Sequence, residues 1–260
     1  MNNIIRIGEY NVNRIGLGTN RLRENNETRN LLKRAIELGI TFIDTANIYQ
    51  SGESEKTIGN VLSPYPKDLV ISTKGGMVPG SEANNEPEYL EKALNESLKR
   101  LKTDCITLYH IHRLSPKTPI ETTMEFLNKM KKEGKIKYIG LSEVTIEQIE
   151  EARKTGEVNS VQNNYSLAER KHDKVVDYCE KNNIIFIPFF PRRTDERSKK
   201  ETERIAKKYN AKPAQILLAW LLKRSKIMLP IPGTLSINHL EENFKALDIN
   251  LSEQDYEALK

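Results

Sequence analysis

Apolar runs rich in Ile, Val and Phe alternate along the chain with segments of helical spacing. The strand-like runs are residues 14–18, 41–44, 69–74, 105–112, 138–142, 160–162, 184–190 and 227–231. A helical pattern follows each run. After the third, Leu90, Ala93, Leu94, Ser97, Leu98 and Leu101 recur at the spacing of one helix face. Ile237, Leu240, Phe244 and Leu247 repeat that spacing near the end. Pro87 and Pro213 suit first helical turns. Gly39, Gly134 and Gly156 stand where helices should stop, since glycine accepts the left-handed conformation there. Eight strand–helix units in 260 residues predict a closed (β/α)8 TIM barrel. A doubly wound open sheet is the rival. Residues 4–13 carry Gly8-Glu9 and predict a small β-hairpin plugging the barrel floor. No linker-like stretch interrupts the pattern, so residues 1–260 read as a single domain.

Composition narrows the setting. A chain of this length can bury about 70–75% of its extended surface, enough for a core without staples. Hydrophobic residues are 37% and charged residues 30%, which suits a folded soluble protein. Stretches without a charge or strongly polar residue, such as 184–191 and 216–222, are short, whereas a membrane helix needs about 20 apolar residues. The start, MNNIIRIGEY, lacks an apolar secretory region. Cys105 and Cys179 make neither a disulfide framework nor a metal cluster, and fit a reducing cytoplasm. The formal charge is 41 − 36 = +5. The basic stretches 129–137 and 192–200 lack the interleaved aromatics of a single-strand binder, so no nucleic-acid partner is expected. The mild positive balance would attract a phosphorylated small molecule.

Barrel enzymes carry their reactive groups at the C-terminal ends of strands. There the chain places Asp44, Lys74 and His112, and Tyr49 follows in the loop after Asp44. Singly, each has a plain reading: a capping Asp, a solvated turn Lys, a satisfied core His, a surface Tyr. Together they form a proton-delivery device. A tyrosine hydroxyl titrates near ~10, too high for easy exchange at neutral pH. A neighbouring ammonium favours the phenolate, and a carboxylate keeps that ammonium charged. A histidine can orient a carbonyl oxygen. The set suits giving a proton to that oxygen as the carbon receives hydride. Gly16-Leu17-Gly18 invites a dinucleotide-fold reading, but Arg21 stands where the third glycine is needed.

The motifs IGLGTN (15–20), FIDTANIY (42–49), VISTKG (70–75), LYHIH (108–112), IGLS (139–142), VQNNY (161–165), FIPFFP (186–191) and IPGTLSINHLEEN (231–243) occur in the order of the aldo-keto reductases. The chain resembles that family over nearly its whole length. GLSEV, FIPFFP and IPGT look closest to a bacterial branch that includes pyridoxal reductases. The resemblance implies a (β/α)8 barrel that uses NADP(H) to reduce a small aldehyde or ketone, with a pyridoxal-like substrate among the candidates. By position it assigns Asp44, Tyr49, Lys74 and His112 as the catalytic set, with Tyr49 the proton donor. His110, on the same strand face, takes a structural role. Gly18, Thr19, Asn20 and Asp44 would lie at the nicotinamide end. Ser142 and Gln162 would bind its carboxamide, beside Glu143, where many relatives carry Asn. Phe189 would stack the ring, followed by Phe190, Pro191 and Arg192. Ile231, Gly233, Thr234, His239, Glu242 and Asn243 match the segment that grips the adenosine half.

Gly233 and His239 stand where many relatives carry the lysine and arginine that hold the 2′-phosphate, so NAD(H) stays open beside NADP(H). Arg192 or Arg193 is expected to contact the cofactor phosphates instead. The loop 113–119 is short and the chain ends directly after the helical pattern 253–259. These features predict an open site, or one completed by a second subunit in a homo-oligomer. Two rivals stand. A lyase would use Lys74 as a Schiff base, which Asp44 disfavours by keeping it charged. A redox-sensing or regulatory subunit would bind NADP(H) with little turnover. No metal is expected.

Overall fold

A computed structural model of the chain describes residues 3–260. Two antiparallel strands, β1 (Ile4–Ile7) and β2 (Tyr10–Asn13), come first. Then follow seven parallel strands: β3 (Leu17–Gly18), β4 (Phe42–Asp44), β5 (Val70–Gly75), β6 (Ile106–Ile111), β7 (Ile136–Ser142), β8 (Ser160–Gln162) and β9 (Ile185–Phe186). They lie side by side in chain order. Helices separate them: α1 (Asn26–Glu37), α2 (Glu53–Leu62), α3 (Pro87–Leu101), α4 (Ile120–Lys132), α5 (Ile146–Thr155) and α6 (Asp173–Lys181). After β9 come α7 (Glu196–Lys208), α8 (Pro213–Arg224), α9 (Ile237–Phe244) and α10 (Glu253–Leu259).

The eighth segment, 227–231, closes the ring without forming a regular strand. Phe186 pairs with Met228 on one side, and Gly18 with Gly233 on the other. On the β3 side, Gly16 N–H donates to Pro230 O (3.0 Å) and Gly18 N–H to Pro232 O (3.4 Å). Pro230 and Pro232 have no N–H to return, which is why the run reads as a strand by its apolar residues yet makes an incomplete ladder. Arg14 reinforces this seam from below. Its buried guanidinium donates to Leu222 O (2.8 Å), Ser225 O (2.5 Å) and Met228 O (3.3 Å). The fold is the (β/α)8 barrel that the hydrophobic pattern predicts.

The same pattern explains the helices. On α3 the buried residues are Leu90, Ala93, Leu94, Ser97 and Leu101, with Pro87 at its start. Gly39 and Gly134 end α1 and α4 with φ of 85° and 75°. Gly156 differs: it closes α5 in extended conformation. What it supplies is space, because a Cβ there would meet the Asn128 side chain at 2.6 Å. The expected run 184–190 also shortens to Ile185–Phe186, with Phe189 rejoining the barrel through one bridge to Asn164.

The hairpin covers the N-terminal end of the barrel. Ile5, Ile7 and Val12 join the core. Asn13 N–H donates to Thr41 Oγ1 (3.0 Å) at the entry to β4, and Glu9 N–H to Tyr138 Oη (3.0 Å) near the start of β7. The opposite end, where the strands finish, is thereby left as the working face. No helix among the described residues is long and apolar enough to cross a membrane.

Candidate active site

Asp44 is the last residue of β4, in register with Ser72 of β5. Two residues further along β5, Lys74 lies fully buried. Its Nζ donates to Asp44 Oδ2 (2.6 Å), to Thr45 O (2.7 Å) and to Tyr49 Oη (3.5 Å). The other Asp44 oxygen accepts from Gln162 Nε2 (2.9 Å) and Ser72 Oγ (3.1 Å). The carboxylate is therefore locked by three strands. Burial alone would pull the Lys74 ammonium toward neutrality, but the attraction of Asp44 opposes it and the balance is upward. Lys74 is a charged ammonium.

Tyr49 opens a tight turn, Tyr49–Gly52, in which Gln50 and Ser51 adopt left-handed φ of 50° and 56°. Side chains of these types rarely choose that conformation. The Gln50 side chain pins the turn by accepting from Arg23 Nε (2.6 Å) and donating to Asn20 O (3.0 Å). The turn thus holds the Tyr49 hydroxyl over Lys74. His112 follows β6, with its N–H on Gly75 O (2.8 Å). Its ring stands edge-on to Tyr49, centroids 5.9 Å apart at 86°. Burial, then Lys74 and Arg113, push its pKa down to about 2, so the ring is neutral. Its Nδ1 is buried and has no hydrogen-bond partner among the described residues.

His110 lies one layer deeper, fully buried. Nδ1 meets Ser72 Oγ (3.2 Å) and Nε2 meets Ser160 Oγ (2.9 Å). Gly140 makes room for it, since a Cβ there would lie 2.2 Å from the imidazole. Burial first, then Lys74 and His112, hold His110 well below the usual histidine range. It joins Ser72, and through it Asp44, to Ser160 across the barrel interior.

Above this cluster opens a cleft of about 590 Å3. Gly18, Thr19, Asn20, Asp44, Tyr49 and His112 line it on one side. Ser142, Gln162, Phe189, Phe190, Pro191, Arg192, Ile231 and Gly233 line it as well. Gly18 is fitted to its place: a Cβ there would meet Ile231 O at 2.7 Å. The other expected residues sit off the wall. Glu143 accepts from Asn164 N–H (2.5 Å) and faces Lys171 and His172 instead. Thr234 Oγ1 accepts from Ser236 N–H (3.0 Å), His239 is exposed on α9, and Glu242 is half-buried. Asn243 is buried, and its Nδ2 has no hydrogen-bond partner among the described residues. Arg21, Ile48, Arg113 and Arg193 also line the cleft. Of these, Arg21, Ile48 and Arg113 escaped the sequence reading as site residues, although the place of Arg113 directly after a strand-end histidine was a usable signal.

Residues 14–260 match the model of the Aldo/keto reductase family. The chain belongs to the aldo/keto reductase family. Among the relatives of this reductase-family chain is an uncharacterized oxidoreductase of Schizosaccharomyces pombe. It is 39% identical over 98% of this chain and 88% of its own. Pyridoxine 4-dehydrogenase of Escherichia coli is 34% identical over 97% of this chain and 95% of its own. Among solved structures, an aldo/keto reductase from Klebsiella pneumoniae in complex with NADP and acetate superposes with a TM-score of 0.88. It is 28% identical and covers 100% of this chain and 94% of its own.

Proposed function

We propose that the protein is an NADP(H)-dependent reductase of small aldehydes or ketones, with Tyr49 as the proton donor. The observation that carries this reading is the chain from buried Asp44 and Lys74 to half-buried Tyr49, closed at 2.6 and 3.5 Å. NADPH, when bound, supplies the hydride that the carbonyl carbon accepts. The residues present fit that cofactor. Phe189 offers an aromatic shelf in the cleft. Gln162 donates to Asp44 through its nitrogen, which leaves its carbonyl oxygen for a carboxamide. Arg192 and Arg193 provide guanidinium groups for phosphates. The Klebsiella neighbour, solved with NADP, supports the same cofactor.

The chain's own residues then divide the chemistry. The neutral His112 ring orients the carbonyl oxygen without competing as an acid, since its protonated form is suppressed. Tyr49 gives its hydroxyl proton to that oxygen. The Lys74 ammonium stabilises the phenolate left behind, and Asp44 keeps Lys74 charged. The named activity of the Escherichia coli relative puts pyridoxal on the substrate panel. The test is NADPH consumption with small aldehydes including pyridoxal, wild type against Tyr49→Phe. Loss of a general acid is expected to cost about 10²–10⁴-fold in turnover. Turnover untouched by the substitution sinks the Tyr49 assignment. NADPH bound with no turnover by either protein shifts the reading to a sensor or regulatory subunit.

A further inference from the structure

We propose that Arg113 selects carbonyl compounds carrying an oxyanion group, so that the substrate is an anionic aldehyde or ketone rather than a neutral one. The inference rests on the reductase reading above and names the substrate class of that site. Arg113 follows His112 directly and forms part of the cleft wall. One nitrogen is fixed: Nη1 donates to His112 O (2.5 Å) and Ser142 Oγ (3.0 Å). Among the described residues, Nε and Nη2 make no hydrogen bond and the guanidinium has no carboxylate in ion-pair range.

Arg192, in the same cleft, is the other half-buried arginine without a carboxylate among the described residues, and the half-buried arginines away from the cleft contrast with both. Arg100 meets Glu55 at 2.7 Å, Arg170 meets Asp173 at 2.8 Å and Arg224 meets Asp177 at 2.6 Å. Glu143, the acid whose field reaches Arg113, spends its carboxylate on Asn164 N–H, Lys171 and His172. The guanidinium is partly desolvated and sits 5.8 Å from the Phe189 ring centroid. A partly buried cation with idle donors costs free energy that two bonds from Nη1, the field of Glu143 and the Phe189 ring offset only in part. A bidentate oxyanion supplies what is missing, because the guanidinium fork matches it. Arg113 is bonded to the carbonyl of His112 and lines the same cleft as His112 and Tyr49. The anion it receives is therefore attached to the same small molecule whose carbonyl those residues face.

The experiment compares kcat/KM for succinic semialdehyde with that for pentanal, a neutral aldehyde of similar length. The same ratio for pyridoxal 5′-phosphate against pyridoxal tells phosphate from carboxylate. A charge-assisted pair predicts a wild-type preference of at least about tenfold for one anionic member. That ratio should collapse toward unity in Arg113→Met and be partly kept in Arg113→Lys. Arg113→Gln, which can still donate to Ser142, serves if the methionine variant fails to fold. A wild-type ratio of one for both pairs, or a ratio unchanged by the variants, overturns the proposal. A weakened NADP+ dissociation constant with an unchanged ratio also overturns it and assigns Arg113 to the cofactor. Absence of turnover with every aldehyde is a failure of the reductase reading instead. Calorimetric titration of the NADP+-saturated protein with succinate then decides: binding lost in Arg113→Met supports the anion site, and no binding by the wild type removes it.

Discussion

At the scale of residues, two arginines at the end of the β9 loop carry a specific expectation. Arg192 Nη2 donates to Gly233 O (3.1 Å), and the Arg193 guanidinium lies 4.1 Å from the Phe190 ring centroid. Arg21 lies close enough to depress the Arg192 pKa further, beyond the effect of burial. Positive groups held together in this way repel one another until an anion arrives. Arg192→Ala and Arg193→Ala should therefore each weaken NADP+ binding, by about tenfold for a lost charged hydrogen bond. Equilibrium titration of the cofactor checks this. Two unchanged dissociation constants would free both residues from the cofactor. The location of Asp44, Lys74 and His112 was legible in the sequence because each closes an apolar run, and strand ends are where a barrel works. Tyr49 was legible only through its motif. Its aim depends on the left-handed Gln50 and Ser51, which no local preference announces. The rotation of Glu143 away from the cleft was not legible either, since it follows from a backbone φ of 56° and from partners in the loop after β8.

At the scale of elements, the helix faces were readable and the helix contacts were not. The apolar stripe of α3 tells which side is buried, but not that α2 crosses it at near contact. Gly59 on α2 permits that approach. A Cβ there would lie 2.3 Å from Arg100 O and 2.9 Å from Leu101 C, both backbone atoms that cannot swing aside. Gly59→Ala should therefore destabilise the fold by about 1–3 kcal/mol, although alanine is the better helix former. A denaturant melt with an unchanged or raised midpoint would contradict the close packing. The same crossing buries Glu55, which bonds both Thr73 Oγ1 (2.5 Å) and Arg100 Nε (2.7 Å), so the barrel wall beneath Lys74 is braced from outside. The strands next to the closing segment were overread for the reason its prolines give: apolar runs report burial, whereas a ladder also needs donors.

At the scale of the whole molecule, acid stability follows from the buried histidines. His110 and His112 are neutral in the fold, far below the 6.5 of a solvated imidazole. Below pH 6.5 the unfolded chain binds protons there and the native state does not. Stability therefore rises with pH through this range and is lost as pH falls. At pH 5, one and a half units below the unfolded value, each group costs about 2 kcal/mol. The thermal midpoint should fall between pH 8 and pH 5, and a midpoint level across that span would show that these rings gain protons without unfolding.

The proline-broken seam has a consequence for anyone who tries to make this protein tougher. On each side the closing segment is held by one bridge and two backbone bonds, and the join to β3 runs through Gly18 and Gly233, both of the cleft wall. Replacing Pro230 or Pro232 by a residue with a free N–H would stitch the barrel shut more tightly. It would also redraw the cleft wall that Gly18 and Gly233 form. Heat tolerance and catalytic competence are thus edited by the same few positions, and a screen that rewards only the first will drift away from the second.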